Sequence, residues 1–393
     1  MTTPKKQLML GNEAVARGLY EAGCRVASAY PGTPSTEISE FAAKYPEIYA
    51  EWAPNEKVAT EVAVGAAIGG ARSFCAMKHV GLNVAADPMF TASYTGINAG
   101  MIITVADDPG MHSSQNEQDS RHYARAAKLP MLEPSDSAEC KQFVAEAYEI
   151  SEKFDTPVLL RETTRVAHSR SIVELCDRTE YPVRDYQKEI PKYVMVPANA
   201  RPKHLRVEER TAALTALAET TPLNRVEKGG KIGVIASGIC YQYAKEALGD
   251  RASYLKLGML WPLPVQKIRD FAASVDTVYV IEELDDFIQT HCLKIGVAVK
   301  GKELFPLCGE YTAKAYVGKV ELRVATSDFV EQTVVMGRGA VRVSSKELLN
   351  EIERMKRTAA NMTETKKAVG KATVGERLPK DVMEKLERMR RGE

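Results

Sequence analysis

Glu61 is an acidic residue within a run of small and apolar residues at positions 58–71. A helix that is apolar on nearly every face is expected to be buried, and a buried carboxylate is costly unless it is protonated or hydrogen-bonded to a ligand. In such a setting Glu61 could share a proton with a ligand base near neutral pH. The alternative is a surface glutamate that pairs with Lys57, an interaction of about 0.3–0.5 kcal/mol. The residues alone favour this second interpretation.

Three polar turns are a further sign of chemistry. Positions 30–35, 78–83 and 107–112 each follow a predicted strand and combine glycine or proline with hydrogen-bonding side chains. Each of them, taken singly, is typical of an ordinary turn. Because the carboxyl ends of parallel strands meet at one edge of a sheet, where ligands bind in α/β folds, the three turns together predict a binding site.

The elements that must position these residues alternate between strand and helix. In the first half we predict strands at 25–30, 73–79, 101–106 and 157–161, with helices at 12–22, 56–71 and 137–153. This alternation indicates an α/β fold in which a doubly wound parallel sheet has helices on both faces. A proline-rich, charged stretch at 181–228 is predicted to be a connector with one helix at 208–218.

The alternation then resumes in a second, smaller α/β region. Its predicted strands are 231–237, 253–260 and 277–282, and its predicted helices are 240–248, 265–273 and 286–299. After about position 349 the chain becomes strongly charged, and Val382, Leu386 and Met389 recur at helical spacing. A solvated helical tail is the simpler interpretation, and a partner-docking arm is the alternative.

Composition limits the classes of function. The 393 residues are 45% hydrophobic and 27% charged, with a net charge of +1, so the chain is globular and has no electrostatic reason to bind nucleic acid or an anionic membrane. No apolar run approaches the roughly 20 residues that cross a bilayer, and the start does not resemble a signal peptide, so we expect a cytoplasmic protein. The seven cysteines include no C-x-x-C pair, so we expect neither a disulfide framework nor an iron–sulfur cluster on this chain.

Several runs of residues resemble a known family. They are GNEA at 11–14, AYPGTPSTE at 29–37, NEKVA at 55–59, MKHVGLNVA at 77–85, ADDPGMHSSQNEQD at 106–119, ASG at 236–238 and LGMLWPLP at 257–264. These runs are similar to indolepyruvate:ferredoxin oxidoreductase alpha chains, a branch of the 2-oxoacid:ferredoxin oxidoreductases, and the similarity spans about positions 7–312.

The resemblance implies a domain organisation and a catalytic group. It implies a pyrimidine-type thiamine-diphosphate domain at 1–190 and a transketolase-C-like domain at 230–345, while the residue pattern predicts the linker at 191–229 between them and the charged helical tail at 346–393. In this superfamily a helical glutamate precedes a glycine by nine residues, and Glu61 with Gly70 matches that spacing. The family's glutamate hydrogen-bonds N1′ of the cofactor's aminopyrimidine and so promotes formation of the thiazolium ylide. Glu56 is the competing candidate, and its place at the start of the helix favours a structural role.

The resemblance also implies roles for the polar turns. Thr33 corresponds to a threonine that contacts the substrate carboxylate, and His112 and Arg121 are further candidates to face the 2-oxoacid. Glu282 and Glu283 resemble a family element to which the sequence assigns no role. The candidate cofactor contacts are Tyr30, Pro31, Gly32, Lys78, His79 and Asn83.

The chain lacks one sequence motif of the family, and its similarity to the family ends before its last residues. It has no Gly-Asp-Gly followed by a downstream Asn, and it diverges after Thr312. The resemblance therefore implies that thiamine diphosphate is shared at an interface, that Mg²⁺ and [4Fe-4S] clusters lie on partner subunits, and that this chain holds no metal. The implied partners are a diphosphate-binding thiamine subunit, a gamma-type subunit and a ferredoxin-like iron–sulfur subunit. A fragment or an inactive relative is the alternative to such a split enzyme.

The implied reaction is oxidative decarboxylation of a 2-oxoacid with coenzyme A to acyl-CoA and CO₂, with reduction of ferredoxin. Aryl substrates such as indolepyruvate or phenylpyruvate are expected, and phenylglyoxylate-type acids stay open. Two other classes remain as alternatives: a non-catalytic assembly subunit, and a non-redox thiamine enzyme such as a decarboxylase or E1 component.

Overall fold

The computed structural model describes residues 5–313, which form an α/β structure. Within them the strands are β1 Lys6–Leu10, β2 Val26–Ala29, β3 Tyr49–Trp52, β4 Ser73–Lys78, β5 Met101–Asp107, β6 Met131–Leu132, β7 Val158–Thr163, β8 Arg170–Glu174, β9 Asn224–Glu227, β10 Ile232–Ala236, β11 Ala252–Leu257, β12 Met259–Trp261 and β13 Thr277–Ile281. The helices are α1 Gly11–Glu21, α2 Thr36–Ala42, α3 Glu56–Ile68, α4 His79–Thr95, α5 Arg121–Ala127, α6 Ser137–Phe154, α7 Thr164–His168, α8 Ile190–Tyr193, α9 Pro197–Thr220, α10 Gly238–Leu248, α11 Gln266–Ala273 and α12 Phe287–Lys294. No helix in this part of the chain is both long enough and apolar enough to cross a membrane.

The first sheet has the strand order β12-β6-β7-β5-β4-β2-β3, and all its pairs are parallel except that of β12 with β6. Side chains alternate across it as strand geometry requires. In β4, Phe74 and Ala76 pack against α1, α2 and α6, whereas Cys75 and Met77 pack against α3 and α4 on the other face. The predicted doubly wound sheet is confirmed.

The second sheet has the order β13-β10-β11-β9, with β9 antiparallel to β11. One face, with Val234 and Tyr254, packs against α10. The other face, with Ile235 and Leu255, joins the same core as β4 and α4 of the first sheet. The smaller α/β region is thus confirmed, and it shares a hydrophobic core with the first sheet. The domain bounds 1–190, 191–229 and 230–345 stay predictions, and the helical tail at 346–393 lies outside the described residues.

Three predicted elements differ in the structure. The predicted strand at 253–260 is broken at Gly258 into β11 and β12, which belong to different sheets. A side chain on Gly258 would lie 2.7 Å from the Leu223 carbonyl oxygen, so the chain can change sheets here only without one. The predicted helix at 208–218 begins earlier, at Pro197, and continues through Pro202. The predicted turn at 78–83 is wrong, because α4 begins at His79 directly after β4.

Glu162 is a fully buried carboxyl group in β7. Its oxygens form no regular hydrogen bond within the described part of the chain, although the Cys140 thiol lies beside them. Burial raises the pKa of Glu162 to about 7. Because the folded pKa lies above the unfolded one, the charged form destabilises the fold, and stability is lost as the pH rises from the unfolded pKa through about 7.

We therefore expect Glu162→Gln to remove part of the pH dependence of stability. Relative to the variant, the wild-type free energy of unfolding should fall by about 1.4 kcal/mol for each pH unit between the two pKa values. Urea unfolding at about pH 5 and about pH 8 measures this difference. Glu149→Gln, at a side chain that is 69% exposed, is the control. Equal pH dependence of wild type and Glu162→Gln would contradict the expectation.

Candidate functional site

The carboxyl ends of β2, β3, β4 and β5 open on one edge of the first sheet. The chain leaves these strands through the turn at 30–35, the start of α3, the start of α4 and the loop at 108–119. This is the edge at which parallel α/β sheets bind ligands.

Glu56 is one of the acidic residues at this edge. It is the first residue of α3, and the Asn55 side chain caps the helix by accepting a 3.0 Å hydrogen bond from the Val58 amide. The Glu56 side chain is 9% exposed and packs against Gly81 in the first turn of α4. Among the described residues the Glu56 side chain forms no hydrogen bond or ion pair. The structure thus presents a largely buried glutamate residue whose carboxylate has no protein partner, and the amino end of α3 favours its negative charge.

Glu61 lies on the surface near Lys57, as the interpretation favoured by the residues alone predicts, and the alternative of a buried carboxylate is wrong. Its side chain is 52% exposed, and its nearest charge is the Lys57 ammonium at 4.0 Å. Five residues of helix rotate a side chain by about 140°, so Glu61 lies on nearly the opposite face of α3 from Glu56. The small residues Gly65 and Gly69 continue this exposed face. The argument that a buried carboxylate would require a ligand therefore does not apply to Glu61.

The turn at 30–35 is a loop, as predicted. Its shape is held by a 2.9 Å bond from the Gly32 amide to the Thr36 hydroxyl and by a 2.9 Å bond from the Ser35 amide to the Gly32 carbonyl. Gly32 approaches Lys78, since a side chain on this glycine would lie 3.0 Å from Lys78 Cδ. Three predicted contact residues of this turn are exposed: Tyr30, Pro31 and Thr33. Their roles stay predictions.

Lys78 and His79 hold the loop that follows β5. Lys78 Nζ donates to the Ser113 carbonyl at 2.8 Å, and His79 Nε2 lies 3.0 Å from the Asn116 carbonyl oxygen. His79 is buried, and its Nδ1 has no partner within the described residues. In this structure the two side chains organise the site by fixing its loop, and their contact with a cofactor stays a prediction.

Asp108 ties the same loop to α7. Burial raises the pKa of Asp108, but hydrogen bonds from the Ser113 amide, the Ser114 hydroxyl and the Thr164 hydroxyl outweigh burial and lower it. A carboxylate with three donors is an acceptor that stays ionised. Sequence reasoning did not single out this residue.

Two predicted residues lie at the outer side of the loop. His112 Nε2 is 3.0 Å from a Glu310 carboxylate oxygen, and its side chain is 44% exposed. Asn83 accepts a 2.5 Å hydrogen bond from the Tyr123 hydroxyl and is exposed. Nothing in the structure brings either residue to Glu56, and their predicted roles are not tested.

Arg121 occupies a buried ionic cluster rather than an open site. It is 1% exposed, binds Asp119 through Nε at 2.8 Å, and donates from Nη1 to Glu282 at 2.5 Å. Its Nη2 donates to Asp119 and to the carbonyl oxygens of Glu283 and Asp285. The prediction that Arg121 faces the oxoacid is therefore corrected: protein acceptors occupy its guanidinium, and it joins the loop after β5 to the end of β13.

The paired acids at 282 and 283, whose role the sequence left open, belong to the same junction. Glu282 accepts from the Ile288 and Gln289 amides and so caps the start of α12. Glu283 accepts from the Tyr311 amide at 2.8 Å, and burial raises the pKa of Glu283 to about 7. Their positions indicate a structural role.

One group of potential metal ligands occurs in the described residues. Asp119, His122 and Asp285 place ligand atoms within 4.8 Å of one another. The Asp119 carboxylate already binds the Arg121 guanidinium, and Arg125 Nη2 lies 3.1 Å from His122 Nδ1. Two adjacent guanidinium groups disfavour a further cation by electrostatic repulsion.

Two family models match the chain. The model described as pyruvate flavodoxin/ferredoxin oxidoreductase, thiamine diphosphate-binding, matches residues 17–230, which include the whole candidate edge. A second model, the YacP-like NYN domain, matches residues 309–391. That match overlaps the predicted end of the second domain and the charged tail.

Curated relatives are named as subunits of oxoacid-metabolising enzymes. Indolepyruvate oxidoreductase subunit IorA of Methanothermobacter thermautotrophicus is 46% identical over 300 residues, which cover 74% of this chain and 48% of that protein. IorA of Archaeoglobus fulgidus is 41% identical over 337 residues, covering 82% and 54%. The 2-oxoglutarate synthase subunit KorA of Archaeoglobus fulgidus is 26% identical over 309 residues, covering 70% and 87%. The chain thus spans about half the length of the IorA proteins that it matches.

Solved structures share the fold. The 2-oxoglutarate:ferredoxin oxidoreductase of Magnetococcus marinus superposes with a TM-score of 0.67 at 19% identity, covering 81% of this chain and 65% of that chain. An inactive tetramer of a split-gene transketolase superposes with a TM-score of 0.50 at 17% identity, covering 79% and 95%. At these identities the likeness concerns the fold alone.

Proposed function

We propose, from the premise that this chain belongs to the pyruvate flavodoxin/ferredoxin oxidoreductase family, that it is the pyrimidine-binding subunit of a 2-oxoacid:ferredoxin oxidoreductase. The overall reaction joins the acyl group of a 2-oxoacid to the sulfur of coenzyme A and releases CO₂. The electron pair passes to ferredoxin, and the thiol proton is released. The observation that carries the proposal is Glu56 at the ligand-binding edge of the sheet, a largely buried residue whose carboxylate has no partner among the described residues.

The residues at this edge fit the aminopyrimidine of thiamine diphosphate. A neutral heteroaromatic ring with nitrogen atoms needs an apolar wall and a carboxyl group that can hydrogen-bond a ring nitrogen. Glu56 supplies the carboxyl group, and Gly81 and Gly32 allow the side chains of Glu56 and Lys78 to lie directly against the backbone at this edge. We therefore assign to Glu56 the role that the family resemblance implied for Glu61.

Glu56 would hold a proton against the pyrimidine ring and exchange it during the reaction. Lys78 and His79 would keep the loop at 108–119 in place beside it through the Ser113 and Asn116 carbonyl oxygens. When bound, thiamine diphosphate supplies a carbanion that adds to the keto carbon and stabilises the electron pair left by decarboxylation. The exposed hydroxyl of Thr33 is our candidate for the substrate carboxylate.

Partner subunits would complete the enzyme. The full sequence contains neither a Gly-Asp-Gly segment nor clustered cysteines. We propose that a diphosphate-binding subunit brings Mg²⁺ and that gamma-type and ferredoxin-like subunits, the latter with [4Fe-4S] clusters, complete a cytoplasmic complex. Aryl 2-oxoacids such as indolepyruvate are the proposed substrates, because the relatives at 41–46% identity are named for indolepyruvate and the 2-oxoglutarate relative is at 26%.

Reconstitution tests this proposal. The chain is co-purified with a diphosphate-binding subunit and a ferredoxin-like subunit, and indolepyruvate-dependent reduction of ferredoxin is followed. We expect reduction to require both thiamine diphosphate and coenzyme A, and to be faster with indolepyruvate than with 2-oxoglutarate. Release of CO₂ without ferredoxin reduction would support a non-redox thiamine enzyme. Assembly without any binding of thiamine diphosphate would support a non-catalytic subunit.

A further inference from the structure

We propose that Gly81 is a positioning residue for Glu56: the missing side chain at position 81 leaves the space in which the Glu56 carboxylate lies. This inference rests on the proposed function for its catalytic consequence. The steric relation between the two residues stands independently of it.

The space is defined by three close distances. A Cβ atom built on Gly81 would lie 2.5 Å from Glu56 Oε1, 2.6 Å from Cγ and 2.8 Å from Cδ. Nonbonded heavy atoms have their optimum separation at about 3.5–4.0 Å, and all three distances are short enough to be repulsive. An alanine at position 81 can be accommodated only if the Glu56 side chain moves.

Backbone conformation does not explain why residue 81 is a glycine. Gly81 lies in the first turn of α4 and is not among the glycines with positive φ. At a helical φ and ψ, alanine is favoured over glycine by about 1 kcal/mol. The close approach of Glu56 is therefore the feature of the structure that accounts for glycine here.

The Glu56 backbone is fixed, so only its side chain can yield. The Asn55 cap binds the Val58 amide, and the Thr60 hydroxyl donates to the Glu56 carbonyl at 2.9 Å. A methyl group at position 81 would thus rotate the carboxylate away from α4 without shifting α3. A displacement of about 1 Å at a reacting group reduces turnover on the order of 10²-fold.

Gly65 provides a matched control. It also lies within a helix without positive φ, and a Cβ atom there would meet no atom within 4 Å among the described residues. Gly65→Ala changes the same residue type in the same way but leaves Glu56 untouched. Carbodiimide labelling of Glu56 in this variant should therefore match the wild type, since no group near Glu56 moves.

The first test uses carboxylate labelling of the purified chain and needs no cofactor. A water-soluble carbodiimide with an amine modifies accessible carboxylates, and peptide mass spectrometry measures the rate at Glu56. We expect Gly81→Ala to raise this rate several-fold, because the carboxylate leaves its space beside α4, and Gly65→Ala to leave it unchanged. Equal labelling of Glu56 in wild type and Gly81→Ala would overturn the proposal.

The second test is a double-mutant cycle on the reconstituted enzyme. Gly81→Ala should lower kcat on the order of 10²-fold with little change in the KM for the oxoacid. In Glu56→Asp the carboxylate is withdrawn by one methylene group. Adding Gly81→Ala to this variant should lower kcat by less than about threefold. Equal losses in both backgrounds would mean that Gly81 serves only the fold. If the wild-type complex shows no thiamine-dependent turnover, the proposed function fails while the labelling result still decides the steric claim.

Discussion

Replacing Glu56 by glutamine should reduce thiamine-dependent turnover by about 10²–10⁴-fold, the range that a general acid or base contributes. Replacing Glu61 by glutamine should leave turnover within about threefold. Both variants keep the size of the side chain and remove one charge. Any difference in turnover between them therefore reflects the position of the carboxylate along α3. The measurement is kcat and KM for the oxoacid in the reconstituted complex with saturating thiamine diphosphate and coenzyme A.

The difference follows from where each carboxylate lies. Glu56 begins α3 at the carboxyl edge of the sheet, and its side chain is largely enclosed beside Gly81. Glu61 lies about 7.5 Å further along the helix axis, with its side chain in contact with solvent and Lys57. Only Glu56 can hydrogen-bond a ring held at the edge, and glutamine cannot transfer the proton.

Two outcomes would contradict this assignment. A Glu61→Gln enzyme that loses as much kcat as Glu56→Gln would restore the interpretation that the sequence first favoured through family resemblance. A Glu56→Gln enzyme with normal turnover would exclude a catalytic role for Glu56 altogether. Carbodiimide labelling of the free chain should also be faster at Glu61 than at Glu56, since the Glu61 side chain is 52% exposed and Glu56 is 9% exposed.

Local sequence could not choose between these two glutamates. Glu61 precedes Gly70 by nine residues, but Glu56 precedes Gly65 by the same interval. The sequence predicted the start of α3 at position 56, but the choice depends on where that start lies relative to the sheet, which is set by the short edge strand β3. Four residues, Tyr49 to Trp52, are too few to give a periodic signal. Only with β3 in place does the start of α3 lie at the ligand-binding edge.

The sheet itself was predictable because its strands are buried on both faces. β4 and β5 are continuous apolar runs, and their predicted bounds differ from those of the structure by one residue at most. The break at Gly258 was not predictable, because it depends on contact with Leu223 far along the chain. The divergence after Thr312 agrees with the second family model, which begins at residue 309.

Arg121 shows the same limit for a charged residue. From the sequence, an arginine after a polar loop at a ligand-binding edge is a reasonable anion-binding group. Its partner Glu282 lies 161 residues away. The local sequence around Arg121 cannot indicate a partner so distant along the chain. The structure therefore replaces a predicted substrate contact by a buried cluster, and this change has a measurable consequence.

Arg121→Met should lower the free energy of unfolding by about 3–5 kcal/mol, the cost of leaving buried carboxylates without their cation. Asp119 and Glu282 are both buried, and each binds the Arg121 guanidinium. Burial raises the pKa of Asp119, but the guanidinium outweighs burial and holds this pKa below its usual range. Urea unfolding of the chain measures the effect, and Lys6→Met, whose ion pair with Glu174 is exposed on both sides, is the control with an expected change of about 0–1 kcal/mol.

The pH dependence of the free energy of unfolding gives a second test of the structural role of Arg121. In the wild type, Asp119 has a lowered pKa, so its contribution to stability is present above the unfolded pKa and is lost as the pH falls. In Arg121→Met the Asp119 carboxyl group is buried without a cation, so its pKa rises. Protonation at low pH then removes the cost of burying an unpaired negative charge. The difference in stability between the two proteins should therefore narrow as the pH falls from about 7 to about 4. A raised KM for the oxoacid with unchanged stability would instead mean that the guanidinium binds substrate directly. These two outcomes separate a group that joins the sheets from one that contacts the oxoacid.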